Sequence, residues 1–144
     1  MKNLIISACL IGCRTRYNGK TAELPELEEL KKKYHLIPVC PEQLGGLSTP
    51  RDPAEQRGDR VVTAKGGDVT EAFEKGAEEV LRLAKVFDCD TALLKERSPS
   101  CGFGKIYDGT FTGTIVDGSG VTARLLADNG IRVLGESYAG ELLI

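Results

Sequence analysis

No apolar run in this chain approaches the roughly 20 residues of a membrane span. Neither charge sign is in excess, with 19 basic residues against 21 acidic and a net charge of −2. The first absence excludes a spanning helix. The second excludes the global basic field behind tight, sequence-independent nucleic-acid binding. The opening Met1-Lys2-Asn3-Leu4-Ile5-Ile6-Ser7 has one charge and too few apolar residues for a secretory leader, so nothing in it points to export. Tryptophan is missing, histidine occurs once, as His35, and there is neither a C-x-x-C pair nor a zinc-finger spacing. What is present, 144 residues with 41% hydrophobic and 28% charged, is expected to form one cytoplasmic domain over residues 1–144. A chain of this size buries roughly 70% of the surface its unfolded form exposes, and dispersed apolar residues with balanced charge argue against disorder.

The five cysteines, Cys9, Cys13, Cys40, Cys89 and Cys101, are an odd number in a chain without an export signal. That argues against a disulfide framework and toward thiol chemistry or metal. Any one of them, taken alone, reads as a small buried hydrophobe. Position along the fold separates them.

Leu4 to Leu10 is a short apolar run stopped by Gly12 and reads as a buried strand. Leu24 to Tyr34 reads as a helix, with Pro25, Glu26 and Glu28 suited to its start and Lys31-Lys32-Lys33 to its end. Leu36 to Cys40 is a second strand, weakened by Pro38, and Pro41 to about Arg60 is expected as a long loop. Asp68-Val69-Thr70-Glu71 resembles a capping box. It opens a helix whose apolar stripe runs through Phe73, Gly76, Ala77, Val80 and Ala84 to Phe87. Thr91 to Lys95 is a third strand, the Gly- and Thr-rich stretch from Phe103 to Gly120 a loop, Val121 to Asn129 a helix, and Ile131 to Leu134 a fourth strand.

This order predicts an α/β fold with a mostly parallel, Rossmann-like sheet flanked by helices. In such sheets ligands bind beyond the carboxyl ends of the strands. Cys9, Cys40 and Cys101 each fall at, or a few residues past, such an end, so right-handed crossovers bring them to one edge. Cys89 precedes its strand. A five-residue strand spans about 16 Å, so Cys89 belongs to the opposite edge, and so does His35, just before the second strand. Cys13 lies in a loop near the site edge, as a fourth ligand, a redox partner or a bystander. Three gathered thiolates can hold zinc or an iron–sulfur cluster. Glu42 follows Cys40 by two residues, Ser98 and Ser100 precede Cys101, and Arg51, Lys95 and Arg97 would favour thiolates and anionic substrate groups.

Five segments in one order carry a resemblance. They are Ser7-Ala8-Cys9-Leu10-Ile11-Gly12, Arg16-Tyr17-Asn18-Gly19, Cys40-Pro41-Glu42, Gly46-Leu47-Ser48-Thr49-Pro50-Arg51, and Leu94-Lys95 with Ser98-Pro99-Ser100-Cys101-Gly102. They resemble the thiouracil desulfidase-like family, and the similarity runs over nearly the whole chain. The resemblance implies an oxygen-sensitive 4Fe–4S cluster held by three cysteines, here Cys9, Cys40 and Cys101, whose free iron takes the sulfur of a thiolated pyrimidine. Water supplies oxygen, hydrosulfide leaves, and uracil or uridine forms without net redox change. It further implies catalytic roles for Glu42 and Ser98 and substrate contacts from Arg16, Tyr17, Arg51 and Ser100. The expected partners are a small thiolated base or nucleoside, thiouracil or 4-thiouridine, and 4-thiouridine within tRNA. No membrane partner is expected. Longer relatives have a further C-terminal domain, and the resemblance is to the short members.

Two other readings compete. One is a nucleotide-binding module built on Gly118-Ser119-Gly120 before a helix, whose N-terminus can hold a phosphate. The other is a metal protein that stores or senses without catalysis. Arg57-Gly58-Asp59 spells an adhesion tripeptide and no more.

Overall fold

The computed structural model describes residues 1–144. Its elements are β1 Lys2–Ser7, α1 Leu27–Lys33, β2 Tyr34–Val39, α2 Pro41–Leu44, β3 Ala54–Arg57, β4 Arg60–Thr63, α3 Thr70–Val86, β5 Thr91–Leu94, β6 Lys105–Tyr107, β7 Ile115–Asp117, α4 Val121–Asp128 and β8 Arg132–Gly135. Short 3₁₀ segments follow β1 (Ala8–Ile11) and β8 (Glu136–Leu143). The expected α/β class is found: β2, β1, β5 and β8 form one parallel sheet in that order. No helix is long and apolar enough to cross a membrane.

Strands buried on both faces read as unbroken apolar runs, and Leu4-Ile5-Ile6 and Ala92-Leu93-Leu94 are such runs. Ile5, Ala92 and Leu94 face a core built with Val80 and Ala84 of α3 and Ala123 and Leu126 of α4. Leu4, Ile6 and Leu93 face a second core with Leu30 of α1 and Ala139 and Leu142 of the C-terminal 3₁₀ segment. Pro38 is accommodated because β2 is an edge strand.

Several boundaries differ from the sequence expectation. The first helix starts at Leu27 rather than Leu24, and Tyr34 already belongs to β2. The first strand ends at Ser7, and Cys9 sits in the 3₁₀ turn that follows. The capping box does not form. Asp68 accepts the N–H of Thr70 (2.9 Å) and pairs with Arg60 instead. Phe87 is exposed rather than part of the stripe. The two expected loops contain structure, namely α2 with the β3–β4 hairpin, and the β6–β7 hairpin. Arg57-Gly58-Asp59 is the β3–β4 turn, with Arg57 opposite Arg60. Gly58 there has φ 60° at the first central position, the placement a type II′ turn favours.

One contact fixes the start of α2, and with it Cys40 and Glu42. Gly76 of α3 lies so close to α2 that a Cβ there would stand 1.8 Å from the Pro41 carbonyl oxygen. A Cβ on Gly45 would stand 1.9 Å from that of Ala72. Only glycine at both positions lets the two backbones touch. Gly76→Ala is therefore expected to destabilise the protein by about 1–3 kcal/mol. Gly140→Ala, with nothing within 4 Å, should stay within about 0.5 kcal/mol. Urea unfolding midpoints at unchanged slope check both.

Candidate active site

The chain runs from β1 to β2 on one side and later returns to β5 on the other, so the carboxyl end of β1 is a topological switch point, where α/β sheets bind ligands. A cavity of about 600 Å³ opens there. Cys9, Cys40 and Cys101 all line it, from the segments after β1, β2 and β5. Glu42, Ser98, Arg16, Tyr17 and Arg51 line it as well. The edge argument thus brings together three of the five cysteines. Cys89 is buried at the other edge, within the α3–α4 core. His35 is exposed, and Cys13 is exposed and does not line the cavity.

The thiols sense one another. Burial pushes Cys101 up to about 12 and Cys9 up to about 11 from the usual 9.0, and raises Cys40 as well. A charge on Cys9 or Cys40 would raise Cys101 further, while Lys95 and Arg16 pull Cys9 back. Ser7, buried at the end of β1, donates its hydroxyl to Cys101 Sγ (3.5 Å) and accepts the N–H of Lys95 (2.9 Å), stitching two strand ends together.

No three His, Cys, Asp or Glu side chains are drawn close enough to hold a single metal ion. Tetrahedral zinc would need its thiolates about 4 Å apart. Three soft donors around one cavity, with no histidine among its lining residues, suit a polynuclear iron–sulfur centre with three protein ligands.

The acid–base groups are held by identifiable partners. Arg51 Nε donates to Glu42 Oε1 at 3.0 Å, with both side chains largely buried. Its other donors go to Thr49 Oγ1 (2.7 Å), Thr15 O (2.9 Å) and Ser48 O (3.3 Å). Four of the five Arg51 donors are thus taken up by the protein, and Arg51 orients Glu42, whose Oε2 has no hydrogen bond within the fold; one Nη2 hydrogen is left at the cavity for the expected substrate contact. Ser98 Oγ accepts the N–H groups of Ser100 and Cys101, each at 3.1 Å, which leaves its O–H free to donate. The expected substrate contact of Ser100 is corrected. It is fully buried, shares a 2.9 Å hydrogen bond with Thr122 of α4, and does not line the cavity.

The phosphate-loop reading of Gly118-Ser119-Gly120 fails for a related reason. The N–H groups at the start of α4 are already taken by the cysteine loop, Gly120 by Gly102 O (2.6 Å), Val121 by Pro99 O (3.0 Å), and Thr122 and Ala123 by Ser100 O (2.9 and 3.2 Å). The helix start holds Cys101 in place. Sequence reasoning missed Glu136, which pairs with Lys95 at 2.9 Å in the same cavity. It follows β8 immediately, so the strand-end rule applied to the cysteines would have found it.

The fold and site define a small α/β protein whose parallel sheet gathers three cysteines and an oriented carboxylate in its switch-point cavity. The chain belongs to the 2-thiouracil desulfurase family, whose model matches residues 4–137. It is 43% identical to the uncharacterized protein YbbK of Bacillus subtilis, over 97% of this chain and 99% of that one. Among solved structures it is similar to the 4Fe–4S-dependent thiouracil desulfidase TudS, with a TM-score of 0.93 and 44% identity, covering 99% of this chain and 95% of that one.

The raised thiols have a consequence for the metal-free protein. A group whose pKa rises on folding contributes stability that is complete below its unfolded value and is lost as pH climbs through the folded one. For Cys9 and Cys101 that window runs from about 9 to about 12. Stability of metal-free protein is expected to fall as pH rises above 9. Cys101→Ala should lower stability at neutral pH yet flatten the alkaline decline. Urea midpoints measured between neutral pH and pH 10.5 check this.

Proposed function

We propose that this protein is a non-redox desulfidase that replaces the sulfur of a thiolated uracil with oxygen from water, using a 4Fe–4S cluster held by Cys9, Cys40 and Cys101. The observation that carries the reading is the sharing of one cavity by three thiols from three strand ends, the Glu42 carboxylate and the Ser98 hydroxyl. Similarity to TudS supports the cofactor and the substrate class.

When bound, the cluster supplies a thiophilic Lewis acid, which prefers C=S to C=O and makes the ring carbon electrophilic. Glu42, held at Oε1 by Arg51, takes a proton from water through Oε2 as the C–O bond forms. The C–S bond breaks with its electron pair on sulfur, which takes the second water proton and leaves as hydrosulfide. Carbon keeps its oxidation state, so no reductant is consumed. Ser98 donates its free O–H to the ring and steadies the charge that develops there.

Charge at the cavity is balanced, with four cations and four carboxylates in its lining. Each lining carboxylate is already engaged, Glu42 by Arg51, Glu136 by Lys95, Glu55 by two backbone N–H groups, and Glu96 by Ser137. Arg16 and Arg97 line the cavity without a carboxylate partner. Glu55 and Glu96 meet only neutral donors and keep their charge, so Arg16 and Arg97 are offset overall; being without an ion-pair partner, they are the groups that would meet a phosphate carried by 4-thiouridine. The run Lys31-Lys32-Lys33 ends α1 and leads into the start of β2, at the edge opposite the cavity. It lends no support to a tRNA substrate.

Anaerobically purified or reconstituted protein should contain about four irons and four sulfides and convert thiolated uracil to its oxo form. Replacing Cys9, Cys40 or Cys101 with serine should lose iron and activity together. Glu42→Gln should keep iron and colour and lower turnover about 100-fold or more; undiminished turnover would remove Glu42 from the chemistry. For the substrate class, Arg16→Ala should raise KM about tenfold for 4-thiouridine 5′-monophosphate and leave KM for 4-thiouracil unchanged. Equal effects on both would return the free base to favour.

A further inference from the structure

The sequence has four tyrosines, four phenylalanines and no tryptophan, yet Tyr17, Tyr107 and Phe111 all line the cavity. Phe111 is the most constrained of them. Its backbone is left-handed, with φ 59°, a conformation that a bulky residue adopts only where its surroundings impose it.

Two residues of β3 impose it. Glu55, buried, accepts the N–H of Gly109 (2.9 Å) and of Phe111 (3.1 Å) at a single oxygen. Arg57 donates to Gly109 O (2.7 Å) and sets its guanidinium 6.0 Å from the centre of the Phe111 ring. Gly109 is pressed against β3, where a Cβ would stand 2.5 Å from Gln56 O. The loop is also braced internally, since Asp108 accepts the N–H of Thr110 (2.9 Å) and donates its own N–H to Thr114 O (3.0 Å).

Phe111 lines the cavity and Arg57 does not, so the ring is braced by a cation that is not itself part of the cavity wall. Gln56 donates to Pro99 O and Ser119 O, each at 2.9 Å. It ties the same strand to the loop carrying Ser98 and Cys101, so the ring stands at a set offset from the reacting groups.

We propose that Phe111 is the platform on which the pyrimidine ring of the substrate stacks, and that Glu55 is the positioning residue that holds the platform in place. The proposal rests on the thiopyrimidine reading above and adds how the ring is recognised. A flat thiolated pyrimidine offers a π-face to Phe111 while its in-plane sulfur points toward the cysteines. Strain in the backbone is retained because it aims the ring.

The test uses anaerobic holoenzyme, with kcat and KM for 4-thiouridine 5′-monophosphate and calorimetric binding of unthiolated uridine 5′-monophosphate, which does not turn over. Asparagine tolerates a left-handed backbone, so Phe111→Asn removes the ring without adding strain. It should retain iron content and stability, raise KM and weaken uridine monophosphate binding about 10- to 100-fold, and leave kcat within about threefold. Phe111→Tyr should bind as the parent does. Glu55→Ala should weaken binding in the parent but add less than about twofold in the Phe111→Asn background, and Glu55→Gln, which keeps an acceptor, should recover much of the loss.

Parent-like binding by Phe111→Asn, or weak binding by Phe111→Tyr, would overturn the platform, and additive losses would overturn the role of Glu55. A parent enzyme that neither binds uridine monophosphate nor desulfurises its thiolated form would instead overturn the thiopyrimidine reading, and the platform with it.

Discussion

The parallel sheet opens its chemistry at one place because β1 lies between a strand that follows it and strands that come much later. That arrangement separates the connections above β1 and leaves a cavity floored by strand ends. Each neighbouring strand then delivers one chemical group to the same edge, Cys9 after β1, Cys40 after β2, Cys101 after β5 and Glu136 after β8. None of these side chains could be brought together by local sequence. Their meeting depends on the register Ser7–Val39 and Leu94–Gly135 that the buried apolar faces specify.

The turns that carry these groups are held by backbone contacts rather than by the groups themselves. Gly45 and Gly76 let α2 lie on α3 at backbone contact distance, which fixes Cys40 and Glu42. The N–H groups at the start of α4 donate to the carbonyls of Pro99 and Ser100, which fixes Cys101. A helix terminus needs such partners, and here the need is met by the segment that must be immobile. The segments carrying Cys40 and Cys101 are therefore held by backbone contacts and hydrogen bonds of the fold itself.

This division explains what the sequence made legible. Strands, the long helices and the edge on which each cysteine sits follow from apolar periodicity and chain order, both local signals. Ser100 and Gly118-Ser119-Gly120 misled because their partners are tertiary. A serine beside a cysteine looks like a site residue until Thr122 is seen to occupy its hydroxyl, and a glycine pair before a helix looks like a phosphate loop until carbonyls 18 to 23 residues upstream fill it. Glu55, Gln56 and Arg57 lay within an expected loop, and the residues they hold are mostly more than 50 positions away. No window along the chain contains both ends of such an interaction.

Charge ties the fold to the chemistry. The cavity matches Glu42 with Arg51 and Glu136 with Lys95, pairs that are individually neutral and so add little net field. Against that background desolvation favours the protonated form of two buried thiols, Cys9 and Cys101, and of the half-buried Cys40. A bound polynuclear cation centre inverts this preference, because its own charge stabilises thiolates that the protein interior alone would not. Ion pairing, burial and the donor set thus favour the same outcome. The lining is formally neutral, four cations against four carboxylates, and thiolate character there depends on a positive centre being bound.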